Sequence, residues 1–218
     1  MGCSRCSQCV GIEMEFDRKL ATKELQKYRN AGPTVKTRML IDALKAEGIS
    51  GMTLLDIGGG IGAIQHELLK AGVSNCIDVE VSEAYIEAVR EEARRQGHEG
   101  NMTHLRGDFV DLAADIPQCD IVTLDRVICC YHDVKSLVEK SAAKARVLYG
   151  LVYPLSNWKA SFAGFLENVY HRLDRSPFRF FVHQTEVVEE ILRTEGFDQR
   201  FYQKEGMWQI VVYRRVHL

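Results

Sequence analysis

No run of 18 apolar residues occurs in this chain, and no apolar stretch near its start resembles a secretory leader. The sequence therefore predicts no membrane span and a cytoplasmic protein. An excess of one charge is also missing, with 28 Lys and Arg against 30 Asp and Glu and a formal net charge of −2. Nucleic-acid binders concentrate positive charge, so no nucleic-acid partner is expected. The local basic pairs Arg94-Arg95 and Arg214-Arg215 read as solvated faces. Internal repeats and low-complexity linkers are absent. Met1-Gly2-Cys3 invites a lipidation reading, but Cys6 stands where the myristoylation pattern needs Ser or Thr.

What remains is a chain of 218 residues, the size of one α/β domain. Such a chain buries roughly 70% of its unfolded surface and needs no covalent staples. Its seven cysteines therefore read as thiols rather than disulfides. Residues 1–50 read as a cysteine-bearing tail, to about residue 12, followed by a helical cap. Phe16 to Arg29 and Pro33 to Glu47 carry helical spacing, broken at Ala31-Gly32-Pro33. Residues 51–153 form the core, and residues 154–218 a helical insert followed by a β-hairpin.

The most informative stretch is Leu54-Leu55-Asp56-Ile57-Gly58-Gly59-Gly60-Ile61-Gly62. Thr53 to Ile57 reads as a buried strand and Ile61 to Ala71 as a helix. Gly58, Gly60 and Gly62 between them tolerate positive φ and let a ligand approach the backbone. The helix start adds unpaired N–H groups and a positive dipole end. In a nicotinamide-binding turn the position of Asp56 is usually apolar, because pyrophosphate already fills the loop with negative charge. A carboxylate there suits a ligand with an ammonium or sulfonium group.

The pattern Asp-x-Gly-x-Gly-x-Gly resembles the first motif of the class I S-adenosylmethionine-dependent methyltransferases. Three further segments extend the resemblance. Asn75 to Ser82 reads as a strand ending in an acid and followed by a Ser-capped helix, Glu83 to Arg95; Glu80 matches the family's ribose-binding acid, with Asp78 the competing choice. Glu80 follows Gly62 by 18 residues, the length of one helix plus one strand. Gly107-Asp108-Phe109 is similar to the segment where Asp108 would accept from the adenine amino group and Phe109 would cover the ring. Asp120 to Val127 resembles the fourth strand, whose end, at Asp125, borders the methyl group and the acceptor. The resemblance implies S-adenosylmethionine as cofactor and an α/β, Rossmann-like fold with a seven-stranded, mostly parallel sheet. Gln199 to Gln203 and Trp208 to Val216, around Lys204-Glu205-Gly206, supply its terminal antiparallel hairpin.

Methyl transfer from a sulfonium is an in-line displacement, so the chain's task is to position the nucleophile and take its proton. Candidate groups lie after strand four, in Ile128-Cys129-Cys130-Tyr131-His132-Asp133, and near His183. His132 has a suitable pKa and Asp133 could orient it, or Asp133 could simply cap the next helix. Tyr131 reads equally as a substrate contact or a packing residue, and His183 as a second base. On an extended segment only one of Cys129 and Cys130 would face the methyl group. Those two are packing residues or ligands for a soft metal or metalloid. Cys3, Cys6 and Cys9 have metal-ligand spacing but lack a fourth thiol. Cys76 and Cys119 read as ordinary core residues. Asn157 to Leu173 shows an amphipathic aromatic face at Trp158, Phe162, Phe165, Val169 and Tyr170, suited to packing or to a flat apolar substrate. The carboxy-terminal part is loosely similar to the magnesium-protoporphyrin O-methyltransferase group.

Two functional readings stand at this point. The first is a methyltransferase acting on oxygen or nitrogen of a small molecule. The second is methylation of a thiol or soft metalloid through Cys129 or Cys130, or a non-catalytic metal-binding module on the same fold. Spacing leaves the metal question and the oligomeric state open.

Overall fold

The computed structural model describes residues 7–216. Five parallel strands form its centre: β1 (Thr53–Ile57), β2 (Asn75–Glu80), β3 (Met102–Arg106), β4 (Cys119–Asp125) and β5 (Ala145–Pro154). With β6 (Phe197–Glu205) and β7 (Trp208–Arg215) they make one sheet in the order β3-β2-β1-β4-β5-β7-β6. β7 runs antiparallel to both β5 and β6, so the expected terminal hairpin and Rossmann-like seven-stranded sheet are present.

Nine α-helices accompany the sheet in the described residues: α1 (Ser7–Glu15), α2 (Arg18–Ala31), α3 (Val35–Ala46), α4 (Ala63–Lys70), α5 (Glu83–Gln96), α6 (Phe109–Leu112), α7 (Val134–Ala142), α8 (Trp158–Leu173) and α9 (Thr185–Thr194). Strand residues alternate between two cores, as a pleated sheet covered on both faces requires. Leu54, Ile121 and Leu148 pack with Leu40 and Leu44 of α3 and Leu68 of α4. Leu55, Val122 and Tyr149 pack with Leu137 of α7 and Val188 and Leu192 of α9. Leu54 and Leu55 are wholly buried, and burying each such side chain contributes about 1.5–3 kcal/mol. Among the described residues no helix is long and apolar enough to cross a membrane.

Several boundaries differ from the sequence reading for identifiable reasons. The expected amino-terminal tail is helical from residue 7, and the helix expected from Phe16 begins at Arg18, after a break. Asp17 caps α2 by accepting from the Leu20 amide at 2.8 Å, which forces the break. α1 is held by tertiary contact: a Cβ on Gly11 would lie 2.5 Å from the Phe178 amide nitrogen. α4 begins at Ala63 rather than Ile61, because Gly62 sits at φ 78°. α8 also departs from expectation. It packs through Ala160 and Gly164 and turns its aromatic residues outward.

Candidate active site

The carboxyl ends of β1 to β5 open on one edge of the sheet, and the strand order reverses between β1 and β4. Doubly wound sheets bind ligands at such a switch point. A cleft of about 350 Å³ lies there, and a second of about 270 Å³ adjoins it across Gly58, Gly60, Asp125 and Arg126.

The loop after β1 is shaped by its glycines. Gly58 and Gly60 have φ of 64° and 58°, a backbone that L side chains rarely adopt. Gly59 is needed for a different reason. Its notional Cβ would lie 2.2 Å from Gln65 Nε2 and 2.6 Å from Asp78 Oδ1, so the loop is pressed onto the side chains beneath it. Those side chains form a buried chain of hydrogen bonds. Thr123 donates to Asp56 Oδ1 at 2.6 Å, and Gln65 Nε2 donates to Asp56 Oδ2 at 3.1 Å and to Asp78 Oδ1 at 2.9 Å. His104 Nδ1 pairs with Asp78 Oδ2 at 3.0 Å.

Asp56 lines the adjoining cleft, at the place its motif position suggests, but deep in its floor. It is 1% exposed, both oxygens are engaged, and burial pushes its pKa up to about 8. Its work in this structure is to brace the loop from below. Gly62 is likewise turned inward, against Val89 and His66.

Of the two acids weighed at the end of β2, Asp78 lies in the buried chain and Glu80 lines the cleft. Glu80 Oε1 accepts from the Ser82 amide at 2.9 Å and Oε2 from the Gly60 amide at 3.2 Å. Burial raises its pKa to about 7 despite these donors. Asp108 also lines the cleft; it caps α6 through the Val110 amide at 2.8 Å and accepts from the Tyr131 hydroxyl at 3.0 Å. Phe109 reaches the cleft with one edge while packing in the core. Asp125 Oδ2 accepts from Thr37 Oγ1 at 2.6 Å, and Asp125 Oδ1 accepts from Arg126 Nε at 3.1 Å. Arg126 itself adopts φ 62°, uncommon for a residue with a side chain and typical of functional sites.

The residues after β4 do not run extended. Ile128 to Cys130 form a tight turn that puts both sulfurs on one side, 3.8 Å apart and both lining the cleft. This corrects the expectation that only one of the pair would face it. The adjacent Cys130 thiol and burial both push Cys129 well above the usual thiol range, disfavouring a thiolate.

Tyr131 lines the cleft, but His132 is exposed and outside it, its Nδ1 against Gln8 Oε1. Asp133 does not orient His132; its carboxylate caps α7 through the Ser136 amide and hydroxyl. His183 Nε2 donates to the Tyr131 carbonyl at 2.8 Å, burial lowers its pKa, and it is not among the cleft-lining residues. Cys9 of α1 lines the cleft, with its sulfur 3.9 Å from Asp108 Oδ2. Cys3 and Cys6 lie outside the described residues. Within the described residues, no three His, Cys, Asp or Glu side chains converge to hold a metal ion.

Sequence reasoning missed the far end of the cleft. Phe178, Phe180 and Trp208 line it with Glu15 and Glu167, both near His171. Burial raises the Glu167 pKa, opposed by His171 and reinforced by Glu15. No local pattern marks these residues, because they meet only when α8, the 176–180 segment, α1 and β7 pack together. α1 forms part of the wall and is tied down by Arg106, which pairs with Glu13 and Glu83, each at 2.6 Å.

Residues 55–148 match the family described as a methyltransferase domain. The ribosomal protein L11 methyltransferase of Alteromonas mediterranea is 29% identical over 115 residues, covering 50% of this chain and 39% of that relative. The chain thus spans well under two thirds of the length of that curated relative. Magnesium protoporphyrin IX methyltransferase from Synechocystis PCC 6803, solved with S-adenosylhomocysteine, superposes with a TM-score of 0.71 at 16% identity, over 96% of this chain and 100% of that one. Its form with S-adenosylmethionine gives 0.62, over 92% and 98%. An O-methyltransferase family protein from Burkholderia thailandensis gives 0.69 at 12% identity, over 93% and 62%. At these identities the structural likeness is one of fold.

Proposed function

We propose that the chain is a class I S-adenosylmethionine-dependent methyltransferase whose acceptor is an oxygen or nitrogen atom of a small, largely apolar, non-anionic molecule. One observation carries this reading. Six acids line the main cleft (Glu15, Glu24, Glu80, Asp108, Asp125 and Glu167) against one base, Arg126, and its far end is walled by Phe178, Phe180 and Trp208. A polyphosphate chain would meet like charge there, whereas nucleic-acid sites need basic side chains. Clefts of this volume suit small ligands.

The residues present fit S-adenosylmethionine. Glu80 is a buried carboxylate at the cleft wall whose pKa is raised by burial, and ribose hydroxyls would add donors that favour its charged form. Gly58 and Gly60 bring bare backbone to the same place, and Asp108 stands ready to accept from an amino group. The adjoining cleft, with Lys27, Thr34 and Arg126, would take the amino-acid end. When bound, the cofactor supplies an electrophilic methyl group on sulfur. The chain then has to orient the acceptor, exclude water and receive a proton. In our reading Phe178, Phe180 and Trp208 orient it, α1 excludes water, and Glu167 receives the proton, the role first assigned to His132. Tyr131 holds Asp108 in place. Reduced thiols, including Cys76 and Cys119 in the core, accord with a cytoplasmic setting.

A second reading is favoured by the 3.8 Å approach of the Cys129 and Cys130 sulfurs in the cleft: a thiol or soft metalloid acceptor held by that pair. Titration calorimetry with S-adenosylmethionine, then a screen of amines, phenols, thiols and arsenite for S-adenosylhomocysteine release, tests both. Turnover of amines or phenols supports the first. Turnover confined to thiols or arsenite supports the second, and no binding of millimolar cofactor to folded protein overturns both.

A further inference from the structure

The six acids of the main cleft are not alike in their surroundings. Glu80 accepts from the Gly60 and Ser82 amides, Asp108 from the Val110 amide and Tyr131, and Asp125 from Thr37 and Arg126. Glu24 accepts from the Tyr85 hydroxyl at 2.9 Å. Glu15 and Glu167 differ. Each faces one nitrogen of His171, at 3.7 Å for Glu15 and 3.9 Å for Glu167, beyond hydrogen-bond reach, and no described residue donates to either. That end also holds no compensating base. Among the described residues Arg126 is the one Lys or Arg that lines the cleft, and it pairs with Asp125 at 3.1 Å. Arg179 turns its guanidinium to the Ser176 and Phe178 carbonyls, and Lys36, 6.0 Å from the Trp208 ring centroid, does not line the cleft. Even with His171 charged, two carboxylates would share one cation. The Glu167 pKa is raised by burial, opposed by His171 and raised further by Glu15.

The walls beside these two acids are aromatic. Phe180 and Trp208 stand edge to face with ring centroids 6.3 Å apart, and Phe178 packs edge-on to His171 at 4.9 Å. Ile12, Phe16 and Cys129 join them in one apolar cluster. The face of an aromatic ring carries partial negative charge, so such walls attract a cation as the carboxylates do. A neutral apolar molecule would use the rings and leave both acids unanswered, and an anion would be repelled by both. We propose that the acceptor is the amine of a small apolar molecule, entering as its ammonium ion with the charge held by Glu15 and Glu167 and the body against Phe178, Phe180 and Trp208. This rests on the methyltransferase reading and narrows its acceptor atom to nitrogen. Glu167 takes one proton from the ammonium ion, which frees the nitrogen lone pair. That pair bonds to the methyl carbon as the carbon–sulfur bond breaks, and the electrons of the broken bond stay on sulfur. The product leaves as a methylammonium ion, and Glu167, partly exposed, gives its proton to water.

Calorimetric titration of the full chain, saturated with S-adenosylhomocysteine, tests this with phenethylamine and its neutral counterpart phenethyl alcohol near neutral pH. The amine should bind about tenfold or more tightly than the alcohol. Glu15→Gln and Glu167→Gln keep the side-chain size, and each should erase most of that preference. The Kd of the alcohol, the cofactor affinity and Tm should hold in both variants, since both side chains are partly exposed. No binding of the amine, equal binding of the two probes, or tighter binding of the alcohol overturns the proposal while the methyltransferase reading stands. A preference that survives both glutamine variants overturns it too, because the charge would then be held elsewhere. Failure of the cofactor to bind folded protein is a separate outcome, which sinks the methyltransferase reading and the amine acceptor with it.

Discussion

The Gly60 amide and the Glu80 carboxylate meet at 3.2 Å, tying the glycine loop after β1 to the acid that ends β2. The loop and the acid therefore present themselves to a ligand as one preformed surface. Glu80→Ala should weaken S-adenosylmethionine binding more than it weakens the fold. Charge-assisted hydrogen bonds contribute about 1.5–3 kcal/mol each, so a Kd increase of about tenfold or more is expected by calorimetry. An unchanged Kd would remove Glu80 from the cofactor site.

Asp56 gives a pH signature. Its folded pKa is raised from 3.8 to about 8, first by burial and then, among the raising influences, by the neighbouring Asp78. The protonated form is thus the one the fold prefers. Its favourable contribution is complete below the unfolded value and is lost as pH rises toward the folded one. Denaturant unfolding of wild type should show stability falling between about pH 5 and 8 from this group. Asp56→Asn should flatten that fall, at the cost of setting an amide NH₂ against the donating Gln65. An equally steep fall in the variant would contradict the assignment.

Gly59 tests the packing beneath the loop. Its φ is ordinary, so Gly59→Ala acts by contact alone, against Gln65, Asp78 and Asp56. Overpacking of this kind costs about 1–3 kcal/mol, or roughly 3–10 °C in Tm for a chain of this size. Gly100→Ala, with nothing within 4 Å of the added methyl, should leave Tm in place. Calorimetric scans of the two variants compare them directly.

Why some of this was legible in sequence and some not follows from the range of the contacts involved. The strands and α5 carry their own periodicity: β1, Thr53–Ile57, has the bounds read from sequence, and α5, Glu83–Gln96, runs one residue past the helix read there. Asp56, Glu80, Asp108 and Asp125 could be placed at strand ends because each stands beside a local turn or cap. Their environments could not be read that way. Only the sheet register, with Asp56 opposite Asp78, shows that one acid braces the loop while Glu80 reaches the cleft. α1 was missed because its support comes from Phe178, and Glu167 because the cleft around it is completed by three other segments, α1, residues 176–180 and β7. The outward stripe of α8 was seen as amphipathic spacing, but spacing alone does not say which side faces the protein.

In the function proposed above Glu167, rather than His132, takes the proton. Glu167, although partly exposed, lines the cleft, and His132 does not. Glu167→Gln keeps the size and polarity of the side chain but cannot take a proton, so turnover should fall by roughly 10²–10⁴-fold with cofactor affinity unchanged. His132→Ala should cost little. Because burial raises the Glu167 pKa, the acid limb of the wild-type pH–rate profile should lie above the ordinary carboxylate range, with activity lost as pH drops through it. That limb should be absent from whatever activity Glu167→Gln retains. Cys129→Ser and Cys130→Ser separate the rival reading: a nitrogen or oxygen acceptor predicts active enzymes, and a thiol or metalloid acceptor predicts dead ones. If His132→Ala alone abolished turnover, the proton would be leaving by a route this cleft does not contain, and Glu167 would revert to a wall residue.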